Sequence, residues 1–558
     1  MPEHDVVVVG GGVAGLRAAL AAKQAQVDVA VVSKLHPVRS HSAGTRAGIN
    51  AALGSEDAWE QHALDTVRAS DYLADQENVE ILCQEALSEI VRLDHFGALF
   101  NRGPDKRPLL RQLPGSSRPR SCFIDDLTGH VLLHVLYEQV LKEQIAMYDE
   151  WFVTGLLVHD GACRGVVALD LRRGILQAVH AKAVILATGH AAQMYTPNAA
   201  SLACTGDGIS LAYNAGAALL DMEMVQYHPL TMGGRKTIPL TRALLGVGAH
   251  LVNNAGERFM QTVAPERAEL AAADVCARAI QAEIDAGRGT DGAVLLDATQ
   301  VEAGLLQRQF VQTLSLVKSF TGQDLTKQPV AVRPAVQATL GGIAVTTDGA
   351  TSVAGLFAAG ACANVGVRGA GELAGNALME SVVFGRRAGA AAAAAARDTT
   401  AGQAPASLVQ AEEQRIQKLV GRDRGGDTPA RVRAELGKVM HTQVGMQRQA
   451  AGLSEAAETL HALQQRAARL GLANKQMIYN GELLAVLELK ALIQVASATV
   501  AAATVRQESR GSHTREDFSE RDDTHWLQHT VTTGTPDGPR VETRPVRLTR
   551  WQPERKGA

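Results

Sequence analysis

The sequence predicts an α/β fold in which a dinucleotide-binding unit is interrupted by a mixed insertion and followed by a helical domain. Three observations predict it. A strand, a glycine turn and an alanine-rich helix open the chain; the strand-then-glycine pattern stops before about residue 227 and resumes after it; and from about Ala406 to Arg506 the spacing of apolar residues is helical. The 558 residues leave room for roughly three to four domains at about 150 residues each.

The first 32 residues read as one βαβ unit, with a strand over Val6–Val9, a helix over Leu16–Ala25 and a second strand over Val27–Val32. The turn between them, Gly10-Gly11-Gly12-Val13-Ala14-Gly15, contains G-x-G-x-x-G. Its glycines permit the tight bend and the close backbone approach that bring a pyrophosphate to a helix N-terminus. The acidic residue expected after the second strand is missing: Ser33 and Lys34 stand there, so ribose recognition is built differently. Strands ending in a small residue and glycine recur at Ala183–Gly189 and Gly355–Gly360. The region from about Tyr227 to Val332, with turns at Met232–Arg235 and Asn253–Gly256 and a helix near Ala271–Ala286, reads as an inserted domain. The stripe Leu460, Leu463, Ala467, Leu470 reads as helix–helix core, and the last fifty residues read as a polar extension hugging the surface.

With 55 Lys and Arg against 58 Asp and Glu, the formal charge is −3 without a long single-sign block, which argues against a nucleic-acid partner. Hydrophobic residues at 46% and charged residues at 20% match an ordinary globular chain. The six cysteines (Cys83, Cys122, Cys163, Cys204, Cys276, Cys362) form no CxxC pair, so neither a disulfide framework, a metal site nor an iron–sulfur cluster is expected from this chain alone. Redox chemistry then needs another cofactor. No apolar run reaches the roughly 18 residues that span a bilayer. The acidic start, Met1–Asp5, lacks the basic stretch of a signal peptide, so the expected location is cytoplasmic.

The runs Arg39-Ser40-His41-Ser42, Thr128-Gly129-His130-Val131-Leu132-Leu133-His134, Thr205-Gly206-Asp207-Gly208, Gln226-Tyr227-His228-Pro229, Gly256-Glu257-Arg258-Phe259-Met260 and Ser509-Arg510-Gly511-Ser512-His513-Thr514-Arg515-Glu516-Asp517-Phe518 occur in an order that resembles the flavoprotein subunits of succinate dehydrogenase and fumarate reductase, with L-aspartate oxidase a close cousin. The resemblance spans about His4 to His529. It implies a Rossmann-like FAD-binding domain (1–226 and 341–400) with an inserted α+β capping domain (227–340) on the substrate side, a helical domain (401–506) and a C-terminal extension (507–558). It also implies a small carboxylic acid as substrate, hydride exchange with flavin N5, a separate iron–sulfur subunit as electron acceptor, and a membrane anchor subunit that would hold the chain peripherally at the inner face of the membrane. Cofactor contacts are expected at Gly10, Gly12, Gly15, Ser33, Lys34, His41, Thr188, Gly189, Asp207, Gly360 and Asn376.

His41 falls where respiratory members of the family attach FAD covalently; the alternative is a histidine beside the flavin without a bond. The next segment, Thr45-Arg46-Ala47-Gly48, departs from the family's Gln-Gly-Gly. His228 and Thr241 stand where the family binds one substrate carboxylate, and Arg278 matches its proton carrier, with an ion pair to Asp274 on the same helix face as the structural alternative. The second carboxylate site is altered. Gln337 replaces a histidine, Glu372 an arginine, Arg242 an acid and Leu245 a relay arginine, while Ala361 replaces an acid near the flavin. Exchanging a guanidinium for a carboxylate turns attraction into repulsion, which costs far more than the roughly 1.4 kcal/mol of one tenfold step. Either Arg242 and Arg368 regenerate a clamp in swapped positions, or Glu372 and Gln337 face a neutral or cationic substrate end such as an amide or amine. The latter is favoured because the changes cluster on one half of the pocket. Two other functions stay open: an aspartate-oxidase-like enzyme passing electrons to oxygen, and a flavin-binding subunit that has lost catalysis.

Overall fold

The first strand, β1 (Glu3–Val9), ends in four valines that are all buried, as a central parallel strand covered on both faces requires. The structure, a computed structural model, describes residues 2–233, 237–399 and 404–554; part of the turn expected at Met232–Arg235, the expected domain boundary at 400/401 and the last four residues lie outside these. β1 pairs in parallel with β2 (Val29–Ser33) on one side and β3 (Ile175–Leu186) on the other. The seven-stranded sheet is completed by Ala146–Asp149 beyond β2, by the antiparallel strands Ala162–Asp170 and Trp151–His159 beyond β3, and by a late strand that adds to β3 in parallel.

Between β1 and β2 runs α1 (Val13–Gln24). It starts three residues earlier than the sequence suggested, because Gly12 caps it and Gly15 lies inside its first turn: a Cβ there would come within 1.9 Å of the Gly10 carbonyl oxygen. Glycine at that position lets the helix start directly on the strand end.

A second sheet, antiparallel and five-stranded, is built on β4 (Val225–Met232) and β5 (Val330–Thr339), with α2 (Ala273–Asp285) packed on it and Leu230, Leu244, Leu251, Ile280 and Leu296 in its own core. The chain then returns to the first sheet through β6 (Leu356–Ala358), which pairs with β3, and enters α3 (Asn376–Asp398). α3 lies directly against α1. Gly385 and Gly389 make this possible, since a Cβ at either would fall 2.7 Å from the Ala14 carbonyl oxygen and 2.1 Å from that of Ala18.

Four helices follow: α4 (Ala406–Gly421), α5 (Pro429–Gln443), α6 (Ala450–Arg469) and α7 (Gly481–Val505). Leu460, Leu463, Ala467 and Leu470 are buried in helix–helix core, as their spacing suggested. The expectation that no segment suffices to cross a bilayer needs correction, because α7 is long and apolar enough by length and composition. Yet 67% of its most apolar stretch is buried inside the protein, which is the pattern of a core helix.

The C-terminal segment is also more than a surface extension. Its hairpin, β7 (Gln528–Thr535) and β8 (Gly538–Pro545), joins a third sheet through pairing of β7 with Leu219–Leu220. Beneath it lies a buried ionic chain: Arg506 bonds Glu223 at 2.6 Å and Glu508 at 2.8 Å, and Arg510 bonds Glu508 at 2.8 Å. His529 bridges Asp221 and Asp75; burial opposes its charge, but the two carboxylates hold its pKa up to about 9. A count of polar residues does not reveal such pairing, because each buried charge is affordable only with its partner in place.

Replacing Gly389 with alanine should push α3 off α1 and lower stability by roughly 1–3 kcal/mol, as other overpacked sites do. Gly421→Ala, at the end of α4 with open space around it, should leave stability unchanged or raise it by up to about 1 kcal/mol. Urea midpoints of the two variants, read against the parent, check both signs.

Candidate active site

The parallel strands β1, β2 and β3 end at one edge, and the loops after them line a cleft of about 970 Å³. Gly10, with φ +117°, folds β1 against the end of β3, where a Cβ would lie 2.2 Å from the Ala187 carbonyl oxygen. The N-terminus of α1 at Gly12 and Val13 opens into this cleft, where the Val13 N–H donates to Ser42 Oγ at 3.3 Å and the positive end of the helix dipole faces the space an anion would take. Ser33, Lys34, His41, Thr188, Gly189 and Asp207 line it as expected from the sequence. The Lys34 ammonium is held by Asp207 at 2.7 Å, Thr205 at 2.7 Å and Glu488 at 2.9 Å, so it ties the strand end to α7. Ser40 Oγ, His190 Nε2 and Asp207 Oδ1 are buried on the cleft without a hydrogen-bond partner among the described residues. Orphaned polar atoms around a glycine cradle fit a long, polar, anionic cofactor such as FAD.

His41 sits at the far end. Its Nδ1 accepts a hydrogen bond from the Ser201 amide at 3.3 Å, and Nε2 makes no hydrogen bond among the described residues. Its ring meets that of His190 edge-on at 4.9 Å, and burial lowers its pKa, so the ring is neutral. His41, His190 and Cys204 bring ligating atoms within 4.8 Å of one another. Burial pushes the Cys204 thiol up to about 12, which makes it a poor metal ligand, and all three residues line the cofactor cleft.

A second cleft, of about 690 Å³, shares His41 with the first. Its walls carry Arg46, His228, Thr241, Arg242, Gln337 and Glu372, so five residues chosen from sequence come together there. His228 Nδ1 accepts from the Leu230 amide at 3.1 Å, which assigns the proton of the neutral ring to Nε2. Burial, with Arg242 and Arg46 nearby, holds its pKa down to about 3. Thr241 Oγ1 accepts from the Ala243 amide at 3.3 Å and keeps its O–H free to donate. Arg242 is buried and makes no side-chain hydrogen bond among the described residues; burial lowers its pKa while Glu372 opposes that. Burial, then Glu380, push the Glu372 carboxyl up to about 7 against the pull of Arg368 and Arg242.

Arg46 was not chosen from sequence, although the departure of its segment from the family pattern was the available signal. Its Nη1 donates to the Pro239 carbonyl at 3.0 Å, and its guanidinium is largely desolvated in the wall of the cleft.

Five expected contacts need correction, since Gly15, Gly360 and Asn376 are not among the residues lining the first cleft, nor Arg368 and Arg278 among those lining the second. Arg368 does not line the second cleft, because every nitrogen of its guanidinium is engaged elsewhere: Nε and Nη2 grip Glu380 at 2.6–3.0 Å, Nη1 reaches the Leu340 carbonyl, and Nη2 those of Gly360 and Ala363. Asn376 lines neither cleft. Its amide oxygen accepts from Asn50 and faces His62, and its nitrogen donates to Thr66, so it braces the start of α3 from behind. Gly360 contributes as a spacer, with φ +71° and no room for a Cβ, which would fall 2.6 Å from the Ala14 methyl. Arg278 pairs with Asp274 at 2.8 Å and donates to the Gly511 carbonyl at 2.6 Å, beside the segment that leads to Glu372; it is not among the residues lining the cleft.

Comparison with known proteins agrees with this geometry. Residues 5–378 match the family model for an FAD binding domain, and residues 433–558 match that for the fumarate reductase flavoprotein C-terminus. The fumarate reductase flavoprotein subunit of Mycobacterium tuberculosis is 39% identical over 99% of this chain and 98% of its own length. The succinate dehydrogenase flavoprotein subunit of Rickettsia bellii is 36% identical over 99% and 97%. Among solved structures, the flavoprotein of Escherichia coli quinol fumarate reductase superposes with a TM-score of 0.96 at 35% identity, covering 100% of this chain and 99% of the other. The chain therefore belongs to the FAD-dependent flavoprotein subunits of the succinate dehydrogenase and fumarate reductase family.

Proposed function

We propose that this chain interconverts a small saturated carboxylic acid and its α,β-unsaturated counterpart as the flavin-bearing subunit of a larger complex. The observation that carries the reading is the cluster of donors in the second cleft (His228, Thr241, Arg46, Arg242), which meets the cofactor cleft at His41. Bound FAD supplies the two-electron, hydride-exchanging centre. The Gly10–Gly15 turn and the α1 N-terminus would hold its pyrophosphate, and His41 the edge of its ring. The chain's own task is to bind and orient the acid. His228 Nε2–H, the Thr241 hydroxyl and the two guanidinium groups offer converging donors to one carboxylate, and their burial strengthens each charge-assisted hydrogen bond. Arg278, which the resemblance matched to the family's proton carrier, is instead held by Asp274 and the Gly511 carbonyl outside the cleft lining, as its i,i+4 ion-pair alternative describes.

Electrons leave to a partner carrying iron–sulfur clusters, because the six cysteines of this chain are single and buried and show no cluster-binding pattern. The relatives are named as subunits, and one solved relative as a quinol fumarate reductase. By extension this chain sits peripherally on the inner face of the membrane through an anchor subunit. A second reading, amino acid oxidation with transfer to oxygen, is favoured by one observation: Glu372 and Gln337 place acceptors where a substrate ammonium would bind. Hydrogen peroxide formed under air would support it, and its absence together with co-purification of a cysteine-rich subunit supports the electron-transfer complex.

Two measurements test the site. We assign a covalent flavin link to His41, whose neutral ring and unpartnered Nε2 suit it. A fluorescent flavin band should survive denaturing electrophoresis of the parent and vanish in His41→Ala; free flavin released from the parent by acid would contradict the link. The pair Glu372→Arg with Gln337→His should raise succinate or fumarate turnover at least tenfold in viologen-linked assays, and an unchanged rate would contradict the placement of the pocket.

A further inference from the structure

The second cleft is chemically two-sided. Arg46, Arg242, His228 and Thr241 present donors, whereas Glu372 and Gln337 present acceptors. The Glu372 amide donates to Gln226 Oε1 at 3.1 Å, and Gln226 pairs with Ala338, so Glu372 is held against the strand that carries Gln337. Gln337 Oε1 is buried with no hydrogen-bond partner, and Glu372 forms no salt bridge among the described residues, although both line the cleft. A donor that reaches both groups would satisfy the orphaned acceptor and the half-buried Glu372 carboxylate together. A second substrate carboxylate would do the reverse, setting like charges face to face in a desolvated space. The charge count agrees. Above about pH 7, with Glu372 ionised and both histidines neutral, two guanidinium groups and one carboxylate leave the cleft at +1, which one carboxylate neutralises.

We propose, building on the function assigned above, that the substrate is a small monocarboxylate whose far end presents N–H donors, and that Glu372 and Gln337 select it over dicarboxylates. The N–H donors belong either to a carboxamide or to an ammonium group. In the reductive direction one hydride and one proton add across the carbon–carbon double bond, and a reduced viologen supplies the two electrons in the assay.

The FAD-loaded chain is tested at pH 8 with fumarate, with its half-amide, and with 4-aminocrotonate, reading kcat/KM by viologen oxidation and dissociation constants by perturbation of the flavin absorbance. The half-amide or 4-aminocrotonate should exceed fumarate at least tenfold in kcat/KM and bind correspondingly tighter, and whichever leads identifies amide or ammonium. Glu372→Gln should lower that ratio at least tenfold, and Gln337→Leu should lower it independently if the first variant does not fold. Fumarate preferred over both N–H compounds would overturn the inference while leaving the assigned reaction intact. Tight, selective binding of an N–H compound with no turnover of any acid would support the inference and overturn the assigned reaction. Absence of any preference in binding overturns the inference.

Discussion

The close approach of α1 and α3 is the constraint on which the rest of the molecule depends. Two glycines on α3 let its backbone rest on the carbonyl oxygens of Ala14 and Ala18, so the helices meet backbone to backbone at these two points. α1 cannot move away from β1 either, since Gly15 sits against the Gly10 carbonyl. The start of α1 is thereby fixed at the cofactor cleft, which Ala14 and Ser381 both line. The start of α3, with Ala377 and Leu378, is fixed at the substrate cleft. Both positive helix ends thus point toward one region where an anionic cofactor and an anionic substrate are to meet. The buried brace of Asn50, His62, Thr66 and Asn376 holds the second of these ends in place.

Within that frame, charge decides what the substrate cleft accepts. Arg368, fully engaged with Glu380 and three carbonyls, stabilises the loop that presents Glu372. Arg242 and Arg46 supply the positive wall. Because Glu372 is buried near Glu380 as well as near Arg368 and Arg242, its charge is set by a balance rather than by one partner, and its pKa of about 7 places that balance in the physiological range.

Much of the fold was legible in the sequence because it rests on local pattern. The valine strand, the glycine turn and the helical spacing after Ala406 each follow from backbone geometry within a few residues. The two clefts were legible where a motif specifies a contact directly, as at His228, Thr241 and Asp207. The failures share a cause, since they depend on where long side chains reach. Arg368 and Arg242 are both arginines next to family motifs, yet one is locked inward and the other lines the cleft, and nothing local separates them. Asn376 reads as a polar residue at a helix start, but its amide turns to partners more than 300 positions away in the chain. The C-terminal segment read as a surface-hugging extension because its arginines find carboxylates at distant positions, Arg521 at Asp71 and Arg547 at Asp75.

The central claim is that a carboxylate at Glu372 controls the charge of the substrate cleft, and the dissociation constant of fumarate as a function of pH tests it most directly. Between pH 6 and 8.5 the carboxylates of fumarate stay ionised and the arginines stay charged; His228, with its pKa held to about 3, stays neutral, and His41, whose pKa burial lowers, is neutral above pH 6.5. Glu372, facing Glu380, Arg368 and Arg242, is then the cleft group that titrates, gaining its negative charge as pH rises through about 7. Fumarate binding to the FAD-loaded chain should weaken at least tenfold from pH 6 to pH 8.5, and the slope should disappear in Glu372→Gln. A flat profile in the parent chain, or the same slope in the variant, would contradict the account.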